Sequence, residues 1–150
     1  MLLGHYDMYN VFKDNYCIYY DFDKQKYDDI NKLMETKYVY VLSKYEEIIG
    51  ICTHKIRSFM STLTRDSKYD PNIIQISLAK FSILCEDVLE VANYHYNDIE
   101  KIRQLTNVKL LITKFLDDNE DALNIIEQKS SDTPLLIEIF KNIKKIKIMI

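Results

Sequence analysis

Six side chains in this sequence are thiols or imidazoles, the groups that a zinc site draws on: Cys17, Cys52 and Cys85, and His5, His54 and His95. A zinc site needs three or four of them converging, and its ligands usually arrive in close pairs. No CxxC or HExxH pair occurs, and Cys52 and His54 are two apart, one residue short of sharing a helical face. Three cysteines spread over the chain also argue against a disulfide framework and for a reducing compartment. The acidic run 117–121 resembles the start of a calcium loop, with Asp117, Asn119 and Asp121 at its first, third and fifth positions. Ala122 and Gln128 then stand where the loop needs a glycine and a bidentate glutamate. Gly4 and Gly50 are the only glycines, so no Gly-rich phosphate cradle exists, and no nucleophile elbow or dinucleotide fingerprint is present. The adjacent carboxylates Asp28-Asp29 and Glu46-Glu47 fall at expected helix starts, where they complement the helix dipole without acid–base work. No catalytic residue, metal or cofactor is expected. An enzyme would need a site assembled from scattered residues.

The scaffold has 150 residues, the size of one domain, and residues 1–150 are expected to form one. Gly and Pro number two each, which excludes turn-rich all-β chains. Hydrophobic residues make up 47% and charged residues 29%, enough for a packed core. The net charge of −3 is wrong for nucleic acid, which selects clustered cations. The exception is residues 141–150, a stem with four lysines and no acid. No signal peptide and no spanning segment is expected. The twelve tyrosines, unaccompanied by tryptophan, suit half-buried positions.

Apolar spacing predicts an all-α bundle of about seven helices. Tyr6, Tyr9, Phe12, Tyr16 and Tyr19 share one face of a first helix, and the polar run 21–28 reads as a loop. A second helix covers 28–42, although Tyr38-Val39-Tyr40-Val41 alone would suit a strand. Ser43 and Glu46 form a capping box that starts a third, which Gly50 interrupts or bends. A turn over 64–72 contains Pro71. The segment 73–92 carries apolar residues in nearly every direction and is expected to be a buried central helix. Asn97 or Asp98 caps a helix with Ile102, Leu105, Val108, Ile112 and Phe115 on one face. A charged turn over 117–121, a short helix 122–128 and a last helix opened by Thr133-Pro134 complete the set.

Without chemistry of its own, such a bundle acts by binding. Two helices that splay leave a trench in which a partner's amphipathic helix seats anchors at i, i+3, i+4 and i+7. The stripe of Tyr45, Ile48, Ile49, Cys52, Ile56, Phe59, Met60 and Leu63 is the candidate wall, with Lys55, Arg57 and Arg65 as nearby cations.

Residues 54–90 (HKIRSFMSTLTRDSKYDPNIIQISLAKFSILCEDVLE) resemble the poxvirus Bcl-2-like proteins, most of all the mitochondrial apoptosis inhibitors of the myxoma and vaccinia type. The matching features are Ile56-Arg57, the turn Thr64-Arg65-Asp66, the central Ile76-Ser77-Leu78-Ala79 and the basic C-terminal stem. The resemblance implies a Bcl-2-like bundle around helix 73–92. It also implies inhibition of apoptosis by sequestering host pro-apoptotic proteins through their death-motif helices. The implied groove combines Val41, Tyr45, Ile48, Ile49, Cys52, Ile56, Arg57, Phe59, Met60, Leu63 and Arg65 with Ile74, Gln75 and Leu78. Gln75 stands where such a groove would place an arginine, which leaves Arg57 or Arg65 to meet a ligand aspartate. The host-cell cytoplasm, or the mitochondrial outer membrane through a hydrophobic tail beyond residue 150, is the implied location. The alternative in the same architecture is inhibition of NF-kappa-B-type innate immune signalling through another face. The oligomeric state stays open between a monomer and a homodimer, including one that exchanges a helix between protomers.

Overall fold

The computed structural model describes residues 13–64 and 72–150, with side chains over 24–63 and 72–150. The described residues are helical, without a strand. In chain order the helices are α1 (Lys13–Thr64), α2 (Asn72–Tyr94), α3 (Ile99–Asp118), α4 (Glu120–Lys129) and α5 (Pro134–Met149). The chain divides into two compact units, residues 1–36 and 37–150, and the boundary falls within α1.

Among the described residues five helices stand where seven were expected, because 13–64, which takes in the described part of the first expected helix and the next two, is one helix. The polar run 21–28 is not a loop. It contains neither Gly nor Pro, and nearby Gln25 and Asp29 bond one helical turn apart at 3.5 Å. Ser43 caps nothing: its hydroxyl donates to the Tyr40 carbonyl of its own helix at 3.0 Å. Gly50 neither breaks nor bends α1 into two helices, and a Cβ placed on it would meet nothing within 4 Å. Replacing Gly50 by alanine is therefore expected to stabilise the fold by about 0.5–1 kcal/mol, readable as a raised Tm. The strand-like Tyr38-Val39-Tyr40-Val41 is helical. Tyr38 and Val41, three apart, are buried, while Val39 and Tyr40 are exposed. The turn over 117–121 shrinks to Asn119, whose side-chain amide donates to the Phe115 carbonyl at 2.8 Å while α3 and α4 run up to it on either side. Tyr6, Tyr9, Phe12, Arg65 and Pro71 lie outside the described residues, as do the side chains of Tyr16 and Tyr19.

The remaining helices follow their sequence signals. Asp98 caps α3, its carboxylate accepting from the Lys101 amide at 3.2 Å. Pro134 opens α5 behind Thr133, whose side chain makes no capping bond. The core of the second unit has α2 at its centre, packed on α3 and α5, with α4 closing on α5. Ile74, Leu78, Phe81, Leu84, Cys85, Val88 and Val91 of α2 are buried, as are Val41, Cys52, Ile56 and Phe59 of α1. Each such aliphatic or aromatic side chain contributes on the order of 1.5–3 kcal/mol. The Phe81 and Phe115 rings meet with centroids 4.6 Å apart.

One expectation about α2 needs correction. It is not enclosed on every side: Ile76 is 64% exposed and Ile83 55%. With Lys80 they form an exposed i, i+4, i+7 line, whereas the small Ser77 and Ser82 are buried. Apolar character all round the helix therefore marks a core face plus an open one.

Candidate functional site: a groove between α1 and α2

Two polar clusters set how α1 lies against the rest of the second unit. Lys37 reaches across to α2, with its Nζ 2.9 Å from Glu90 Oε2 and 3.8 Å from Asp87 Oδ1. The bond to Glu90 holds the Lys37 ammonium above its usual range, and burial raises the Asp87 carboxyl, partly offset by Lys37. One residue on, the Tyr38 hydroxyl donates to Gln104 Oε1 of α3. The Tyr38 ring stands edge-on to His95 at 5.7 Å, and Lys101 Nζ sits 5.0 Å from its centroid. His95 Nε2 is buried without a hydrogen-bond partner.

Lys37 lies opposite 87–90, and later residues of α1 (Ile48, Ile51) meet earlier residues of α2 (Ser77, Lys80), so the two helices run antiparallel. Further along, the two helices leave a groove of about 250 Å³ between them. One wall is Tyr40, Lys44, Glu47, Ile48 and Ile51, spaced i, i+4, i+7/8 and i+11 along α1. The other is Ser77, Lys80, Ile83 and Leu84 of α2. The groove exposes apolar surface, with Tyr40 47% exposed, Ile51 45% and Ile83 more than half, beside the exposed Lys44, Glu47 and Lys80. Its charges differ in availability. Lys44 pairs with Glu47 at 3.3 Å, while Lys80 has no ion-pair or hydrogen-bond partner among the described residues.

Of the residues expected to line a groove, Ile48 stands in its wall. Val41, Ile49, Cys52, Ile56, Phe59, Ile74 and Leu78 are buried in the core behind it. Tyr45, Met60, Leu63 and Gln75 are half-buried and outside the groove. Arg57 is exposed and also outside it, and Arg65 is not among the described residues. The principal stripe of an amphipathic helix faces the core, so a groove is walled by its flank. The sequence signal for that flank was an apolar residue one helical turn beyond a charged one, Ile51 after Glu47 and Ile83 after Lys80.

Among the described residues the groove offers contact surface and one free cation. It offers no nucleophile–base pair, and no group of three or more potential metal ligands gathers among the described residues. Among those residues no helix is long and apolar enough to cross a membrane. No family model, curated protein or solved structure matches the chain.

Proposed function

We propose that this protein is a stoichiometric binder of amphipathic helices and that the α1–α2 groove holds the death-motif helix of a pro-apoptotic partner, which makes the protein an inhibitor of apoptosis. The observation that carries the reading is the groove itself: Tyr40, Ile51 and Ile83 open to solvent around Lys80, which has no charge partner among the described residues. An amphipathic helix would set its anchors between Tyr40 and Ile51 on one side and Ile83 on the other. Its acid would meet Lys80, the role that the resemblance left to Arg57 or Arg65. In this reading the bundle is a Bcl-2-like variant whose first helices are fused into α1. What supports the family is the likeness of residues 54–90.

The test is titration of death-motif peptides into the full chain by calorimetry, with groove variants as controls. Ile51→Asp is expected to weaken binding at least ~10-fold if Ile51 meets a central anchor. Lys80→Glu should weaken it ~5-fold and remove most of its salt dependence, while both variants keep the wild-type circular dichroism. No heat at micromolar protein, or unchanged affinity in both variants, would overturn the proposal.

A further inference from the structure

The far end of α5 presents a second surface, distinct from the groove. Leu136, Ile139, Phe140, Ile143 and Ile146 of this helix face the core. On the opposite side, Ile137, Lys141, Lys145 and Ile148 follow one another at i, i+4, i+8 and i+11, with Met149 beside Ile148. Ile148 is 87% exposed and Met149 54%, and both lysines are exposed. The four lysines of the stem divide by role. Lys144 pairs with Glu127 of α4 at 2.6 Å and Lys147 approaches Glu120 at 3.8 Å, so these two tie the end of α5 to α4. Lys141 and Lys145 have no ion-pair or hydrogen-bond partner among the described residues, and Glu138, one turn earlier, is the only acid on their side of the helix.

A helix that is apolar inside and carries free cations next to exposed Ile and Met outside has the chemistry of an interfacial docking element. The lysine ammoniums meet anionic headgroups, their stems lie along the surface, and the aliphatic tip enters the headgroup–acyl boundary. We infer that the outer face of α5, through Lys141, Lys145, Ile148 and Met149, docks the protein on an anionic lipid bilayer without spanning it. The charge complementarity selects a bilayer over an apolar protein surface. Two free lysines beside two exposed apolar residues give a weak, reversible, salt-sensitive attachment, since each cation near an anionic surface changes affinity by only ~5-fold. This inference does not rest on the groove reading, because none of the four residues lines the groove.

The test is co-sedimentation of the full chain with phosphatidylcholine vesicles, alone or containing phosphatidylserine, at low and high salt. Binding is expected only to the phosphatidylserine vesicles and is expected to fall at high salt. Lys141→Glu/Lys145→Glu should weaken it at least ~25-fold. Ile148→Glu/Met149→Glu should abolish it even at low salt, with helicity and Tm unchanged because both side chains are exposed. No binding to anionic vesicles overturns the inference, as does undiminished binding in the lysine double variant or binding that survives in Ile148→Glu/Met149→Glu. Lipid-free self-association that both double variants abolish would assign the face to a second copy of the chain and would also overturn it.

Discussion

Replacing Phe81 by alanine is expected to destabilise the protein by ~3–5 kcal/mol, while replacing Ile83, two residues away on the same helix, is expected to change stability by less than ~0.5 kcal/mol. Phe81 is fully buried on α2 and its ring meets Phe115 of α3, so truncation removes apolar burial, leaves a cavity and breaks the main aromatic contact between the two helices. Ile83 points into the groove and is more than half exposed, so its truncation costs little folding energy. The order reverses for binding: Ile83→Ala should weaken a death-motif peptide several-fold. Phe81→Leu should recover most of the lost stability. Urea unfolding of the four proteins, with peptide affinities for the wild type and Ile83→Ala, gives both readouts. A loss of several kcal/mol on truncating Ile83 would place that residue in the core and remove the groove.

Stability is expected to fall steeply above pH 9, by an amount set largely by two buried thiols. Burial pushes Cys52 from its ordinary value of 9.0 up to about 12. Cys85 is raised as well, by burial first and then by the neighbouring Cys52 and Glu86. Unfolded, both thiols release their protons near pH 9; folded, both keep them. The folded state therefore binds more protons through the window from pH 9 to about 12, and its stability drops as pH rises across it. The thiol contribution is fully present below pH 9. At about 1.4 kcal/mol per pH unit, Cys52 alone accounts for a loss on the order of 4 kcal/mol by the top of the window. Lys37 and Tyr45, also raised, add losses of the same sign at alkaline pH. The thiol share is isolated by comparison with Cys52→Ala/Cys85→Ala, whose alkaline slope should be markedly shallower. Equal slopes in the two proteins would mean that the thiols ionise as easily folded as unfolded. Below pH 9 neither thiol should react with a thiol reagent until the protein is denatured.

The sequence was most legible where a helix has one clear apolar face and a clear end. Leu105, Val108, Ile112 and Phe115 are all buried on α3 behind the Asp98 cap, and Leu136, Ile139, Phe140, Ile143 and Ile146 are all buried on α5 behind Pro134. The segment 73–92 is helix over Asn72–Tyr94. What failed was the reading of polar signals as boundaries. Ser43-x-x-Glu46 has the composition of a cap, but a serine within a helix satisfies its hydroxyl on a carbonyl of its own turn just as well, and only a chain that leaves helical geometry makes it a cap. Gly50 and the run 21–28 disfavour a helix by amounts that continuous propagation absorbs.

The groove was illegible for a related reason. Periodicity identifies the largest apolar stripe, and on α1 that stripe is core. Whether the flanking Lys44, Ile48 and Ile51 meet solvent or another helix depends on how far α2 lies from α1, which large side chains set jointly across the two helices. Likewise, Lys44 and Lys80 look equivalent in sequence; the structure pairs the first with Glu47 and gives the second no partner among the described residues. Arg57, one of the two cations expected to meet a ligand aspartate, is exposed but lies beyond Ile51, past the stretch of α1 that lines the groove.

The central claim, that the α1–α2 groove receives an amphipathic helix, is tested most directly by mapping amide chemical shifts of the isotope-labelled protein as a death-motif peptide is added. The account predicts saturable changes concentrated at Tyr40, Lys44, Ile51, Lys80 and Ile83, with α4 and the outer face of α5 unmoved. Changes centred elsewhere, or none at peptide concentrations well above the protein, would contradict it.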